Sequence, residues 1–146
     1  MKDSDSPAIL IVDDSASIRA TVQKDLQTEG FMVFTACDGE EALSFLTRPD
    51  APEIDMVLTD LNMPGMDGKK LCARIKADPD LRSIPVIFLT SQADQKTESD
   101  LIKTGANDFI TKPFIRELLI ARISVHLQSQ ISKNILKNGF KSRPFF

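Results

Sequence analysis

The sequence contains neither tryptophan nor tyrosine, has one histidine, and has two cysteines far apart. Without Trp or Tyr, and without a Ser/Thr/Gly-rich loop after its first apolar run, it offers nothing to stack a flavin ring or cradle its phosphate. The GxxxxGK[ST] string of a nucleotide phosphate loop is also missing. His126 stands in a predicted helix with no second His or Cys nearby, so it belongs to no metal set of that type and reads as structural or surface. Cys37 and Cys72 form no CxxC pair and are flanked by apolar or small residues, so both read as buried, inert thiols. No apolar run approaches the roughly 18 residues of a membrane-spanning helix. The opening MKDSDSP is polar and acidic, unlike a secretory signal, so a cytoplasmic location with no membrane partner is expected. A net charge of -3 supplies no broad cationic surface for phosphate backbones, although the 18 Lys and Arg leave room for a local patch. Direct nucleic-acid binding is not expected.

What remains is an ordinary globular composition, 42% hydrophobic and 27% charged over 146 residues, the size of one domain. Short, continuous apolar runs at 8–12, 31–36, 56–59, 86–89 and 109–110 read as strands buried on both faces, as in a parallel sheet covered by helices. Helical patterns lie between them. Ile18, Val22 and Leu26 follow a Ser15 or Asp14 cap and stop at Gly30. Asp38 and Glu41 make a capping box before Ala42, Phe45 and Leu46, and Pro49 closes that segment. Asp67 and Gly68 open a stretch carrying Leu71 and Ile75 that ends at Pro79. Residues 94–104 have only Leu101 and Ile102 as apolar anchors, which predicts a weakly held helix. Ile115, Leu119, Ile123 and Leu127 step by four, and Ile131 and Ile135 extend a long last helix. Five strand–helix alternations imply an α/β fold, an open parallel sheet wound on both faces.

In such sheets ligands bind beyond the carboxyl ends of the strands. The first strand runs into Asp13 and Asp14, the third into Asp60, the fourth into Thr90 and Ser91, and Lys112 follows the fifth. Neighbouring carboxylates raise one another's pKa, a conflict that a divalent cation relieves, and oxygen-only ligands favour Mg2+. Asp60 is then a candidate nucleophile for a phosphoryl group, with Lys112 and Thr90 for the phosphoryl oxygens. Each residue also has a plain structural reading. Asp13 and Asp14 serve as a helix cap, Asp60 as a turn residue, Thr90 and Ser91 as caps, and Lys112 as a solvated lysine. Their shared edge and order carry the chemical reading.

The strings Ile-Val-Asp13-Asp14-Ser, Leu-Thr-Asp60-Leu-Asn-Met-Pro-Gly-Met-Asp-Gly, Phe-Leu-Thr90-Ser and Ile-Thr-Lys112-Pro-Phe resemble the receiver domains of bacterial response regulators, over about residues 7–128. The resemblance implies a flavodoxin-like five-stranded parallel sheet of order 2-1-3-4-5 with five helices. It implies that Asp60 accepts a phosphoryl group from a sensor histidine kinase or phosphotransfer protein. Mg2+ would be held by Asp13, Asp14, Asp60 and the Asn62 carbonyl. It further implies a Thr90 and Phe109 switch, a cis Lys112-Pro113 peptide, and an output surface on the fourth helix, fifth strand and fifth helix. Phe109 stands where many relatives have tyrosine, so packing alone would carry that switch; Asn62 and Gln92 occupy positions that tune phosphoryl lifetime in relatives. A regulatory role rather than an enzyme's is expected, acting on a downstream protein or fused output domain, with homodimerisation open.

Two other classes compete. A haloacid-dehalogenase-like phosphatase needs an acid two residues after the nucleophile, where this chain has Asn62. A flavodoxin-like carrier is disfavoured by the missing aromatics. Alternatively the chain is the input module of a larger regulator, with 129–146 as a helical extension or linker and tail.

Overall fold

The structure, a computed structural model, describes residues 6–91 and 95–138. In chain order the elements are β1 (Ala8–Val12), α1 (Ala16–Thr28), β2 (Met32–Ala36), α2 (Gly39–Thr47), β3 (Met56–Asp60), α3 (Gly68–Ala77), β4 (Val86–Thr90), α4 (Gln95–Lys103), β5 (Asp108–Thr111) and α5 (Arg116–Asn138). All four strand pairings are parallel and the order is β2-β1-β3-β4-β5, as the resemblance implied.

Successive residues of a strand point to opposite faces, and β1 uses both. Ala8, Leu10 and Val12 enter a core shared with Ala42 of α2, Leu71, Cys72 and Ile75 of α3, and Leu101 of α4. Ile9 and Ile11 enter a second core with Val22 and Leu26 of α1 and Leu119, Ile123 and Leu127 of α5. Every residue of β1 is buried, which explains why its sequence is continuously apolar rather than alternating. Full burial of each large aliphatic side chain stabilises by about 1.5–3 kcal/mol.

The helix starts follow from their caps. Ser15 Oγ accepts from the Ile18 amide, which leaves Asp14 without a capping duty. Asp38 accepts from the Glu41 amide at 2.8 Å, and Glu41 reaches back to the Cys37 amide at 2.7 Å, a variant of the capping box shifted one residue before the cap. Asp67 accepts from the Lys70 amide. The Lys112-Pro113 peptide is cis.

Three sequence expectations are corrected. Cys37 is exposed, because β2 ends at Ala36 and the thiol falls in the connection to α2; Cys72 is buried as expected. Ile102 is 64% exposed, since residues adjacent on a helix point about 100° apart and Leu101 takes the inward direction. Ile115 is 65% exposed because it precedes α5, whose inward stripe begins at Leu119. His126 is structural: its Nε2 lies 2.9 Å from Asp108 Oδ2, and Arg122 Nη1 binds both oxygens of the same carboxylate. Gln92, the outer part of the 129–146 segment, and the side chains of Ile131 and Ile135 lie outside what is described.

Candidate functional site

Strands β3 and β4 each run one residue beyond the predicted apolar stretch. Asp60 pairs with Leu89, and Thr90 pairs with Thr111, so both polar residues close their strands inside the ladder. Because Val12 pairs with Thr59, Asp13 and Asp60 emerge from neighbouring strands at the same level. The chain passes from β1 to β2 on one side and later to β3 on the other, so this edge is the switch point at which open sheets hold ligands.

Ligand atoms of Asp13, Asp14 and Asp60 lie within 4.8 Å of one another. Lys112 Nζ lies 3.0 Å from Asp13 Oδ2 and 3.6 Å from Asp60 Oδ1. Asp13 is buried, Asp60 half-buried and Asp14 exposed, so the cluster grades from core to solvent. Burial raises the pKa of Asp60 above its ordinary value; Lys112 opposes the rise, and Asp13 adds to it. The donor set is all carboxylate, with no imidazole or thiolate, which suits a hard divalent cation.

The surroundings fix these groups. Asp13 Oδ1 accepts from the Ser15 amide at 2.9 Å, and Asp60 Oδ1 from the Leu61 amide at 2.8 Å. Thr59 Oγ1 donates to the Asp60 carbonyl at 2.9 Å. Thr90 is fully buried, and its carbonyl accepts from the Lys112 amide at 2.7 Å, which ties the lysine to the end of β4. Phe109 is half-buried beside Phe88 in the ladder, packed on the core of α2, α3 and α4. Asn62 and Ser91 are exposed, each one step beyond a strand end or its next residue.

Two contributors escaped the sequence reading. Gly68, expected only to open a helix, packs so closely that a Cβ there would overlap the Asp60 carbonyl and come within 2.9 Å of Phe88, and its amide donates to the Leu61 carbonyl. Arg19 Nη1 donates to the Asp13 carbonyl at 2.6 Å. A signal existed for Arg19, since it sits one turn into the helix after Asp14, but nothing in its flanking residues marks which way it points.

Comparison with known proteins agrees with this fold. The chain is similar to a probable transcriptional regulator, ycf27, of Guillardia theta, with 41% identity over 82% of this chain and 45% of that protein. It is also similar to the solved chemotaxis protein CheY4 of Vibrio cholerae, with 31% identity and a TM-score of 0.77 over 82% of this chain and 98% of that one. The receiver domain of a histidine kinase from Syntrophus aciditrophicus matches over 97% of this chain and 100% of that one, at 33% identity and a TM-score of 0.75. The chain spans between 25% and 51% of the length of the curated relatives it matches. Residues 9–124 match the response regulator receiver domain family, and with its sheet order and the aspartates at its strand ends the chain belongs to that family.

Proposed function

We propose that Asp60 is the phosphoacceptor of a signalling switch, charged by the phosphohistidine of a sensor histidine kinase or phosphotransfer protein. The observation that carries this reading is the placing of one ammonium, Lys112, against Asp13 and Asp60 in a cluster of three carboxylates. An Asp60 carboxylate oxygen attacks the phosphorus, the N–P bond breaks, and its electron pair stays on the imidazole nitrogen, which takes up a proton. Lys112 and Thr90 serve the phosphoryl oxygens. Asp13, Asp14, Asp60 and the Asn62 carbonyl would hold Mg2+, which neutralises charge on the carboxylates and on the transferring group when bound. Thr90 and Phe109 then couple the site to α4, β5 and α5 as the output surface, by shifting an existing equilibrium.

This role is regulatory, with no substrate turned over beyond the phosphoryl transfer and its hydrolysis. The relatives' lengths favour a receiver, residues 7–128, that serves as the input module of a larger regulator. The test is intact mass after acetyl phosphate, with and without Mg2+, for the chain and for Asp60→Asn. One labile, Mg2+-dependent phosphoryl group that the variant lacks supports the reading; an equal adduct on the variant, or none on the chain with acetyl phosphate or with sensor kinases, defeats it.

A further inference from the structure

Asp13 is held at every polar group it has. Its amide donates to the Ala36 carbonyl at 3.1 Å, its Oδ1 accepts from Ser15, its Oδ2 meets Lys112, and its carbonyl accepts from Arg19. Asp14 is the opposite case. It is exposed, Ser15 has taken the cap, and the Asp14 side chain has no hydrogen bond or ion pair among the described residues. Only the backbone decides where this third carboxylate lies.

The peptide plane that carries the Asp13 carbonyl also carries the Asp14 amide, so fixing that carbonyl fixes the direction in which Asp14 leaves β1. Arg19 does the fixing, from the first turns of α1, with a 2.6 Å bond. A guanidinium so close to a group of carboxylates would ordinarily pair with one of them. Among the described residues the Arg19 side chain makes no ion pair; its one hydrogen bond goes to this carbonyl.

We propose that Arg19 is a positioning residue that, through the Asp13 carbonyl, holds Asp14 in reach of Asp13 and Asp60 and so sets the affinity of the cluster for Mg2+. This rests on the reading of the cluster as a Mg2+ site. Groups that orient metal ligands in this way commonly change affinity 10- to 100-fold when removed. Arg19 acts on the ligand farthest from the core, so its loss should weaken metal binding without removing the nucleophile.

The experiment is Mg2+ binding followed by amide NMR on the full chain, at constant ionic strength, for the wild type, Arg19→Met, Arg19→Lys, Asp14→Asn and Arg19→Met/Asp14→Asn. Arg19→Met should raise the half-saturating Mg2+ concentration about tenfold. In the Asp14→Asn background the same change should add less than about twofold, because positions that act through one group do not add. Arg19→Lys keeps the charge but reaches less far and cannot fork, so it should also bind more weakly than the wild type; it decides the matter if Arg19→Met does not fold. A purely structural bond would lower thermal stability and leave the Mg2+ curve unmoved. Wild-type binding in either Arg19 variant, or full additivity with Asp14→Asn, overturns the proposal. A wild-type chain that binds no Mg2+ overturns the metal reading beneath it as well.

Discussion

Lys112 and Asp13, 99 positions apart in the chain, meet at 3.0 Å at the carboxyl edge of the sheet. The same ammonium lies 3.6 Å from Asp60, whose anionic form is disfavoured by burial and by the neighbouring Asp13.

Replacing Lys112 with Met should therefore act on Asp60 twice. The nucleophile must be ionised, and Lys112, ahead of the Leu61 amide, pulls its pKa down against burial. The acid limb of the rate of phosphorylation by acetyl phosphate should move to higher pH. The plateau rate should fall about a hundredfold, as when one preorganised donor to developing charge is lost. A pH–rate profile followed by intact mass checks both; an unmoved acid limb would mean that Lys112 does not set the charge of Asp60.

Asp60→Asn should stabilise the fold. A carboxyl group whose folded pKa lies above its unfolded value binds its proton more tightly when folded. Stability therefore falls as pH rises through that interval and stays reduced above it. Removing the charge at neutral pH should add about 1 kcal/mol, within the range usual for relieving a site built for function. That corresponds to a Tm increase of about 4 °C in a domain of this size. The difference should shrink as the pH is lowered toward the range in which Asp60 is protonated, and in Mg2+, which stabilises only the chain that binds it. Calorimetry with and without Mg2+ measures each part.

The sheet could be read from the sequence because both of its faces are covered. Continuous apolar runs such as Ala8–Val12 occur only where helices pack on both sides. The site could be read because its residues end strands: strand order sets Asp13 and Asp60 on neighbouring strands, and Lys112, past the end of β5, reaches them with its long side chain. What could not be read depends on direction rather than identity. Which of Leu101 and Ile102 faces the core, whether the thiol of Cys37, just past β2, turns inward, and where the long side chain of Arg19 goes are set by helix phase and local backbone direction. Periodicity over a nine-residue helix such as α4 does not fix these.

Gly68→Ala should be costly out of proportion to one methyl group. The added Cβ meets the Asp60 carbonyl and Phe88, backbone and a buried ring rather than a flexible side chain. Urea unfolding should show a loss of about 1–3 kcal/mol, the usual effect of overpacking. Phosphorylation should slow as well, because relief of the overlap displaces the Asp60–Leu61 peptide. Unchanged stability would show that the Asp60–Leu61 backbone yields to the added methyl without cost.

Asp108 ties β5 to α5 through Arg122 and His126. Burial pushes its pKa up, but the hydrogen bonds from Arg122, His126 and the Phe109 amide together bring it below its ordinary value. A carboxylate with a depressed folded pKa contributes stability that is present above its unfolded pKa and lost as pH falls through the folded one. Asp108→Asn should therefore destabilise at neutral pH by about 1 kcal/mol, with charge-assisted bonds exchanged for neutral ones. The gap from the wild type should close below about pH 4. Urea midpoints at the two pH values give the comparison.

The most direct test is to locate the phosphoryl group. Borohydride reduces an aspartyl phosphate to homoserine, so reduction after acetyl phosphate and Mg2+, followed by peptide mass mapping, marks the acceptor. Homoserine at position 60 alone, absent without Mg2+, is the predicted result. Homoserine at Asp13 or Asp14, or phosphate found only on a hydroxyl side chain, would contradict the assignment of Asp60 as the acceptor.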